Sequence, residues 1–307
     1  MRIANAPCSW GVLEFEGMIG KGAGWETVLD EIAETGYAGT ELGDYGFMPT
    51  DPTALAGELQ KRDLAMLGAY VPVNLRDRAA HAPGIAHALT VARLLAAVAT
   101  DGSRPGPFIV LADDAGTDPV RTANAGRATP EMALGDDEFA VFAEGVEAVA
   151  RAVRDETGLP TVFHPHSACF VETPAEIRRL AAATDPALVG LVFDTGHFLF
   201  GAGPDGAAPV AMLHELGDRV WHVHFKDLEP AVAARSRAEE WPYFEALEHG
   251  VFSELGTGVV DFAAVADALR QRGYAGWIVV EQDVLPGMGA PKESARRNRE
   301  FLRSIGL

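Results

Sequence analysis

Short apolar runs alternate with longer amphipathic stretches from one end of this chain to the other, and that alternation constrains the fold more than any other feature. The short runs are Ile3 to Cys8, Ala38 to Leu42, Ala65 to Val71, Pro107 to Leu111, Pro160 to His164, Val189 to Phe193, Val220 to Phe225 and Trp277 to Val280. Apolar residues recur at helical spacing in Trp25 to Thr35, Pro52 to Arg62, His87 to Ala99, Asp137 to Glu156, Pro174 to Ala183, Phe262 to Arg272 and Lys292 to Ile305, with a shorter stretch at Ala208 to Leu216. Alternating strand and helix patterns predict repeated β-α units, not a sandwich or a bundle. Gly36, Gly158 and Gly273 stand where helix-stopping glycines are expected, and Thr173-Pro-Ala-Glu176 has the spacing of a capping box. The length of 307 residues suits one barrel of roughly 250 residues with extended loops. The expected architecture is α/β: a single (β/α)8 TIM barrel over residues 1–307 with long loops at its C-terminal face.

Two connections are long, Ala112 to Asp136 and Asp227 to Asp261, and both leave the carboxyl end of a strand. They are candidate covers over the barrel mouth, with surface insertion as the alternative. A net charge of −19 excludes nucleic acid as a partner, because such binding needs clustered Lys and Arg. Two cysteines, Cys8 and Cys169, are too few for a disulfide framework. The amino terminus lacks the regions of a signal peptide and no apolar run approaches a membrane span, so a cytoplasmic location without membrane contact is expected. Oligomeric state is left open, a homo-oligomer included.

Five of the nine histidines lie in three segments, Phe163-His-Pro-His166, Asp194-Thr-Gly-His197 and His222-Val-His-Phe-Lys-Asp227. Each stands at or just past the end of a β-rich run, where a parallel barrel displays its chemistry. Asp194 ends Val189 to Phe193 and Glu281 ends Trp277 to Val280; a buried carboxylate at such a point needs a cation or strong hydrogen bonds. A divalent metal held by Asp194, Glu281 and an imidazole answers that need, and Asp194, His224 and Glu281 are the candidate ligands. Residues two apart on a strand share a face, so His222 points with His224. Pro165 cannot donate to a central ladder, which ends the fifth strand at His164 and leaves His166 in the loop.

These segments, together with Asn5-Ala-Pro-Cys-Ser-Trp-Gly11, Gly39-Thr-Glu-Leu-Gly43, Val171-Glu-Thr173, Gly250-Val-Phe252, Gly256-Thr-Gly-Val-Val-Asp-Phe262 and Gly276-Trp-Ile-Val-Val-Glu-Gln-Asp283, run over nearly the whole chain. In them the chain resembles the xylose isomerase-like sugar isomerase, epimerase and dehydratase barrels, and within these the inosose (2-keto-myo-inositol) dehydratase branch. The resemblance implies metal ligation by Asp194, by His224 as the second histidine of its pair, and by Glu281. A glutamate of the epimerase branch is replaced by His164, which the dehydratase-like branch also implies as a ligand; His166 is its substitute, and His222 is not expected to touch metal.

The implied chemistry is proton abstraction beside a carbonyl. One divalent ion, manganese first and cobalt, magnesium, zinc or iron as alternatives, polarises the ketone of a keto-cyclitol or keto-sugar and stabilises the enolate. Loss of a β-hydroxyl then gives dehydration, whereas return of the proton gives epimerisation or isomerisation, and a 3-keto-glycoside eliminates by the same ring chemistry. His166, His197 and Lys226 are the candidates for proton transfer; the alternative for Lys226 is a salt bridge with Asp227 or Glu229. Trp10, Glu41 and Glu172 are the candidates for binding substrate. Core packing is the alternative for Trp10, and a helix-opening position for Glu172.

Overall fold

Every side chain of Phe108–Asp113 and of Val189–Asp194 is buried, as a parallel strand covered on both faces demands. The computed structural model describes residues 1–12, 22–99, 106–204, 206, 208–285 and 287–307. Its strands are β1 (Arg2–Asn5), β2 (Gly39–Thr40), β3 (Ala65–Met66), β4 (Gly68–Val73), β5 (Phe108–Asp113), β6 (Thr161–Phe163), β7 (Val189–Asp194), β8 (Val220–Phe225), β9 (Asp227–Leu228), β10 (Phe252–Ser253) and β11 (Trp277–Val280). All but β9 and β10 lie in one sheet of order β3-β2-β1-β11-β8-β7-β6-β5-β4, and its pairs are parallel.

The sheet closes through Leu67. Its N–H donates to Thr40 O at 2.9 Å, and its carbonyl accepts from Phe108 N at 2.8 Å. Thus β3 and β4 are one stave that pairs with β2 by its first half and with β5 by its second, which makes an eight-staved barrel of the expected kind. The apolar core lies inside the staves and between them and the helices. Where two staves crowd, a missing side chain is required: a Cβ on Gly190 of β7 would stand 2.2 Å from the Trp221 ring.

Several boundaries differ from expectation. The run from Ile3 to Cys8 ends as a strand at Asn5, because Pro7 opens a 3-10 turn over Pro7–Trp10. The third helix begins at Arg78, not His87, capped by Asp77. Pro83 and Gly84 hid its first turns, and Gly84 is needed there because a Cβ would meet Val73 Cγ1 at 2.6 Å. Helix Thr195–Ala202, started by Asp194 as its cap, had no periodicity to announce it. The capping box at Thr173 and Glu176 is present, Thr173 N donating to Glu176 Oε2 at 2.9 Å.

The two long connections carry structure of their own. The first contains helix Pro119–Ala123; the second contains helices Pro230–Ala238 and Tyr243–Glu248 and the antiparallel β9–β10 pair. They meet in a second apolar cluster that includes Ala125, Ala168, Phe200, Tyr243, Leu247 and Phe252, separate from the barrel core and roofing its carboxyl end. Asp227 ties the second connection down. Its Oδ1 accepts from Leu228 N and Val260 N at 2.9 and 3.0 Å, and its Oδ2 from Gly256 N and Gly258 N at 2.8 and 2.9 Å. Among the described residues no helix is long and apolar enough to cross a membrane.

Candidate active site

Neighbouring staves deliver the charged groups. Asp194 at the end of β7 lies in register with His224 on β8, and Glu281 just past β11 donates its N–H to Phe225 O at 3.0 Å. His164 follows β6, its N–H on Leu111 O at 2.8 Å. β6, β7, β8 and β11 are adjacent in the sheet, so His164, Asp194, His224 and Glu281 converge, each buried and each with a ligand atom within 4.8 Å of the others. His166 does not join them.

The separations fit a shared cation. His224 Nδ1 stands 3.2 Å from His164 Nε2 and 3.2 Å from Glu281 Oε1; Asp194 Oδ2 is 3.9 Å from His164 Nε2 and 3.8 Å from His224 Nδ1. Donors that share one ion at about 2.1 Å lie roughly 3 to 4 Å apart. Asp194 Oδ1 accepts from His197 N at 2.8 Å, whereas Oδ2 is buried without a hydrogen-bond partner among the described residues. Burial accordingly pushes Asp194 up to about 6, against the pull of Lys226. An orphaned carboxylate oxygen facing two imidazoles is the environment a divalent ion would satisfy.

Glu41 follows β2 and stands at the cavity, as expected, but its carboxylate is engaged by two histidines. Its Oε1 lies 2.7 Å from His222 Nε2 and 3.1 Å from His224 Nε2. With a cation on Nδ1, a carboxylate on Nε2 would fix the His224 tautomer, keeping the proton on Nε2 and the lone pair of Nδ1 turned to the other three donors. Burial opposes ionisation of Glu41, but His224 and His222 outweigh it and hold the carboxyl at about 2. Glu41 also lines the cavity. His222 makes its contact with Glu41, outside the group of four.

Lys226 is buried with three acceptors around its ammonium: Glu281 Oε2 at 3.0 Å, His197 Nε2 at 3.1 Å and Asp283 Oδ2 at 3.4 Å. Neither Asp227 nor Glu229 is among them; the Asp227 carboxylate is occupied by backbone N–H groups. Burial disfavours the ammonium, yet Asp283, Glu281 and Asp194 hold its pKa well above the usual lysine value. A charged Lys226 can only donate, so His197 Nε2 accepts, while His197 Nδ1 lies 2.8 Å from Ser167 Oγ and 3.4 Å from Ser167 N. His197 thus braces Lys226 and Asp194 and does not line the cavity. His166 does, with Nδ1 donating to Ser167 O at 2.8 Å and its ring 3.9 Å from that of His197.

The cavity encloses about 660 Å³ including its mouth, and Tyr70, Tyr243, Cys8 and Asp283 line it beside Glu41, His164, His166, His224, Lys226 and Glu281. Two of the expected substrate contacts are not brought there. Trp10 belongs to the barrel core, its indole N–H donating to Glu31 Oε2 at 2.7 Å. Glu172 is buried under the roof, where its carboxylate accepts from Gly126 N and Ala168 N and faces Arg121 Nη2 at 3.7 Å. Asp283, Tyr70 and Tyr243 were missed. Asp283 lies past the end of β11 in a turn closed by Val284 N on Gln282 O, which no strand pattern encodes, and Tyr243 is brought in by a loop helix.

The inosose dehydratase of Geobacillus kaustophilus is 32% identical over 302 residues, 98% of this chain and 93% of its own length. That of Lacticaseibacillus casei is 30% identical over 287 residues, 92% of this chain and 90% of its own. Among solved structures, an IolI protein with a bound zinc atom superposes with a TM-score of 0.70 over 99% of this chain and 98% of that one, at 16% identity, a likeness of fold. Residues 79–305, well over half of the chain, match the xylose isomerase-like TIM barrel family, and the chain belongs to it.

Proposed function

We propose that this protein is a metal-dependent carbon–oxygen lyase of the inosose dehydratase type, removing water from a keto-cyclitol. The observation that carries the reading is the convergence of His164, Asp194, His224 and Glu281, three of which, His164, His224 and Glu281, line the cavity, in a chain whose full-length relatives are inosose dehydratases. Two carboxylates with two imidazoles suit manganese first among the divalent ions. A cation held there supplies electrostatic stabilisation for negative charge that develops on the ketone oxygen.

The chain's own groups supply the rest. His166 lines the cavity, its Nδ1–H held by Ser167 O, and is our candidate to take the proton α to the ketone. The same imidazolium then gives a proton to the departing β-hydroxyl, so that water leaves and the ring carbons keep the new double bond. Lys226 contributes a fixed positive charge at this face, and His197 is a positioning residue that holds Lys226 and Asp194.

The test is incubation of the manganese-loaded protein with 2-keto-myo-inositol in deuterated water, followed by NMR and ultraviolet absorbance. An enone or dione product formed with loss of water is expected. Deuterium in an intact epimer, with no water lost, overturns the dehydratase reading in favour of an epimerase.

A further inference from the structure

The ammonium of Lys226 has three N–H groups and three acceptors, but the three contacts are unequal. Those to Glu281 and His197, at 3.0 and 3.1 Å, are within the ordinary range, while that to Asp283 Oδ2, at 3.4 Å, is at its outer edge. Asp283 is buried at the cavity wall, and among the described residues its carboxylate makes no other hydrogen bond. Its backbone neighbours do not cap it, in contrast to the four N–H groups on Asp227. A charged donor and a charged acceptor therefore stand side by side, both facing the space where substrate would lie.

We propose that Lys226 and Asp283 form a hydroxyl-binding edge, in which one ring hydroxyl of the substrate accepts from the Lys226 ammonium and donates to the Asp283 carboxylate. A hydroxyl oxygen about 2.8 Å from each partner closes a triangle on the 3.4 Å side between them. Only a group that accepts and donates at once completes that triangle, so the edge selects a hydroxyl over a ketone or ether oxygen. The Phe252 ring, which does not line the cavity, lies with its centre 4.9 Å from Lys226 Nζ. Glu281 connects the edge to the ligand group, since its Oε2 meets Lys226 and its Oε1 meets His224. The hydroxyl selected is thus on the same ring as the ketone and close to it. Asp283 is by this reasoning a specificity-determining residue for a polyhydroxylated ring, an inference that rests on the function proposed above.

The experiment uses the manganese-loaded protein and measures calorimetric binding of myo-inositol and of a series of monodeoxy-inositols to wild type, Asp283→Asn and Asp283→Ala, with metal content determined for each. Loss of one particular hydroxyl should weaken wild-type binding roughly 10- to 100-fold, the range of a hydrogen bond to a charged group. Asp283→Asn should weaken parent binding by a similar factor and show no further loss with that same deoxy compound, at unchanged metal content. An equal loss across the whole series on Asp283→Asn and Asp283→Ala, or no loss, overturns the inference. Turnover of 2-keto-myo-inositol by wild type, measured alongside, separates the two claims: turnover without an Asp283 effect sinks only the hydroxyl edge, whereas neither turnover nor polyol binding by wild type sinks both.

Discussion

Glu41 offers the sharpest test of the site's internal logic. If its carboxylate sets the His224 tautomer, then changing it must weaken metal binding although Glu41 is outside the group of four. Its Oε1 is shared by His224 Nε2 at 3.1 Å and His222 Nε2 at 2.7 Å. Losing the outer partner of a metal-bound histidine costs about 10- to 100-fold in affinity, or roughly 1.4 to 2.7 kcal/mol. Glu41→Gln keeps an oxygen acceptor and removes the charge, and charge-assisted hydrogen bonds are about twice as strong as neutral ones, so about tenfold is expected. Glu41→Ala removes the acceptor and should approach a hundredfold. His222→Phe leaves Glu41 to His224 alone and should change affinity by less than about threefold. The assay is competition for manganese and zinc against a chromophoric chelator. If Glu41→Ala binds metal as tightly as wild type while Asp194→Asn loses it, Glu41 does not orient His224 and the assignment of Nδ1 as the ligand atom is wrong.

Three further outcomes follow from the buried groups. Arg121 pairs with Glu176 by two contacts of 2.9 and 3.0 Å and lies near Glu172, so Arg121→Met leaves two buried carboxylates unmatched and should cost about 3 to 5 kcal/mol in denaturant unfolding; a cost below 1 kcal/mol refutes the pairing. Burial pushes Glu172 up to about 7 despite Arg121, so the folded form binds its proton more tightly than the unfolded one. The stability from this group is present in full at low pH and is lost as pH rises from about 4.5 to 7, by up to about 3 kcal/mol. Glu172→Gln should remove that slope, and an identical pH profile of unfolding in wild type and variant counts against it. Finally, Trp10→Phe should lower stability by about 1 to 3 kcal/mol through lost packing and its bond to Glu31, with KM unchanged; a raised KM at full stability would return Trp10 to the substrate.

The parts of this molecule legible in the sequence are those governed by local pattern. Val220 to Phe225 and Trp277 to Val280 read as strands because burial on both faces demands unbroken β-prone residues, and those strands carry His224 and Glu281 to the mouth. Asp194 was legible for the same reason, as a charge at the end of an apolar run. Trp10 and Glu172 misled because each belongs to a polar-looking motif whose direction is set by tertiary contacts, Glu31 for the one and Gly126 and Ala168 for the other. Glu41 was placed at the right end of the right strand, but its bond to His224 depends on a register across the barrel that no local pattern encodes.

The apolar roof has a consequence for how the protein moves. Ala125, Ala168, Phe200, Tyr243 and Phe252 come from segments far apart in sequence and form a cluster distinct from the barrel core. A unit of that kind can come apart by itself, since opening it leaves the staves and their ladder intact. Because Tyr243 lines the cavity and Phe252 lies against both His197 and Lys226, each such opening also loosens the walls around the substrate. The roof is then less a hinged flap than a small cooperative module, and the frequency of its partial unfolding sets an upper limit on how fast a ring held beneath it can leave by that route.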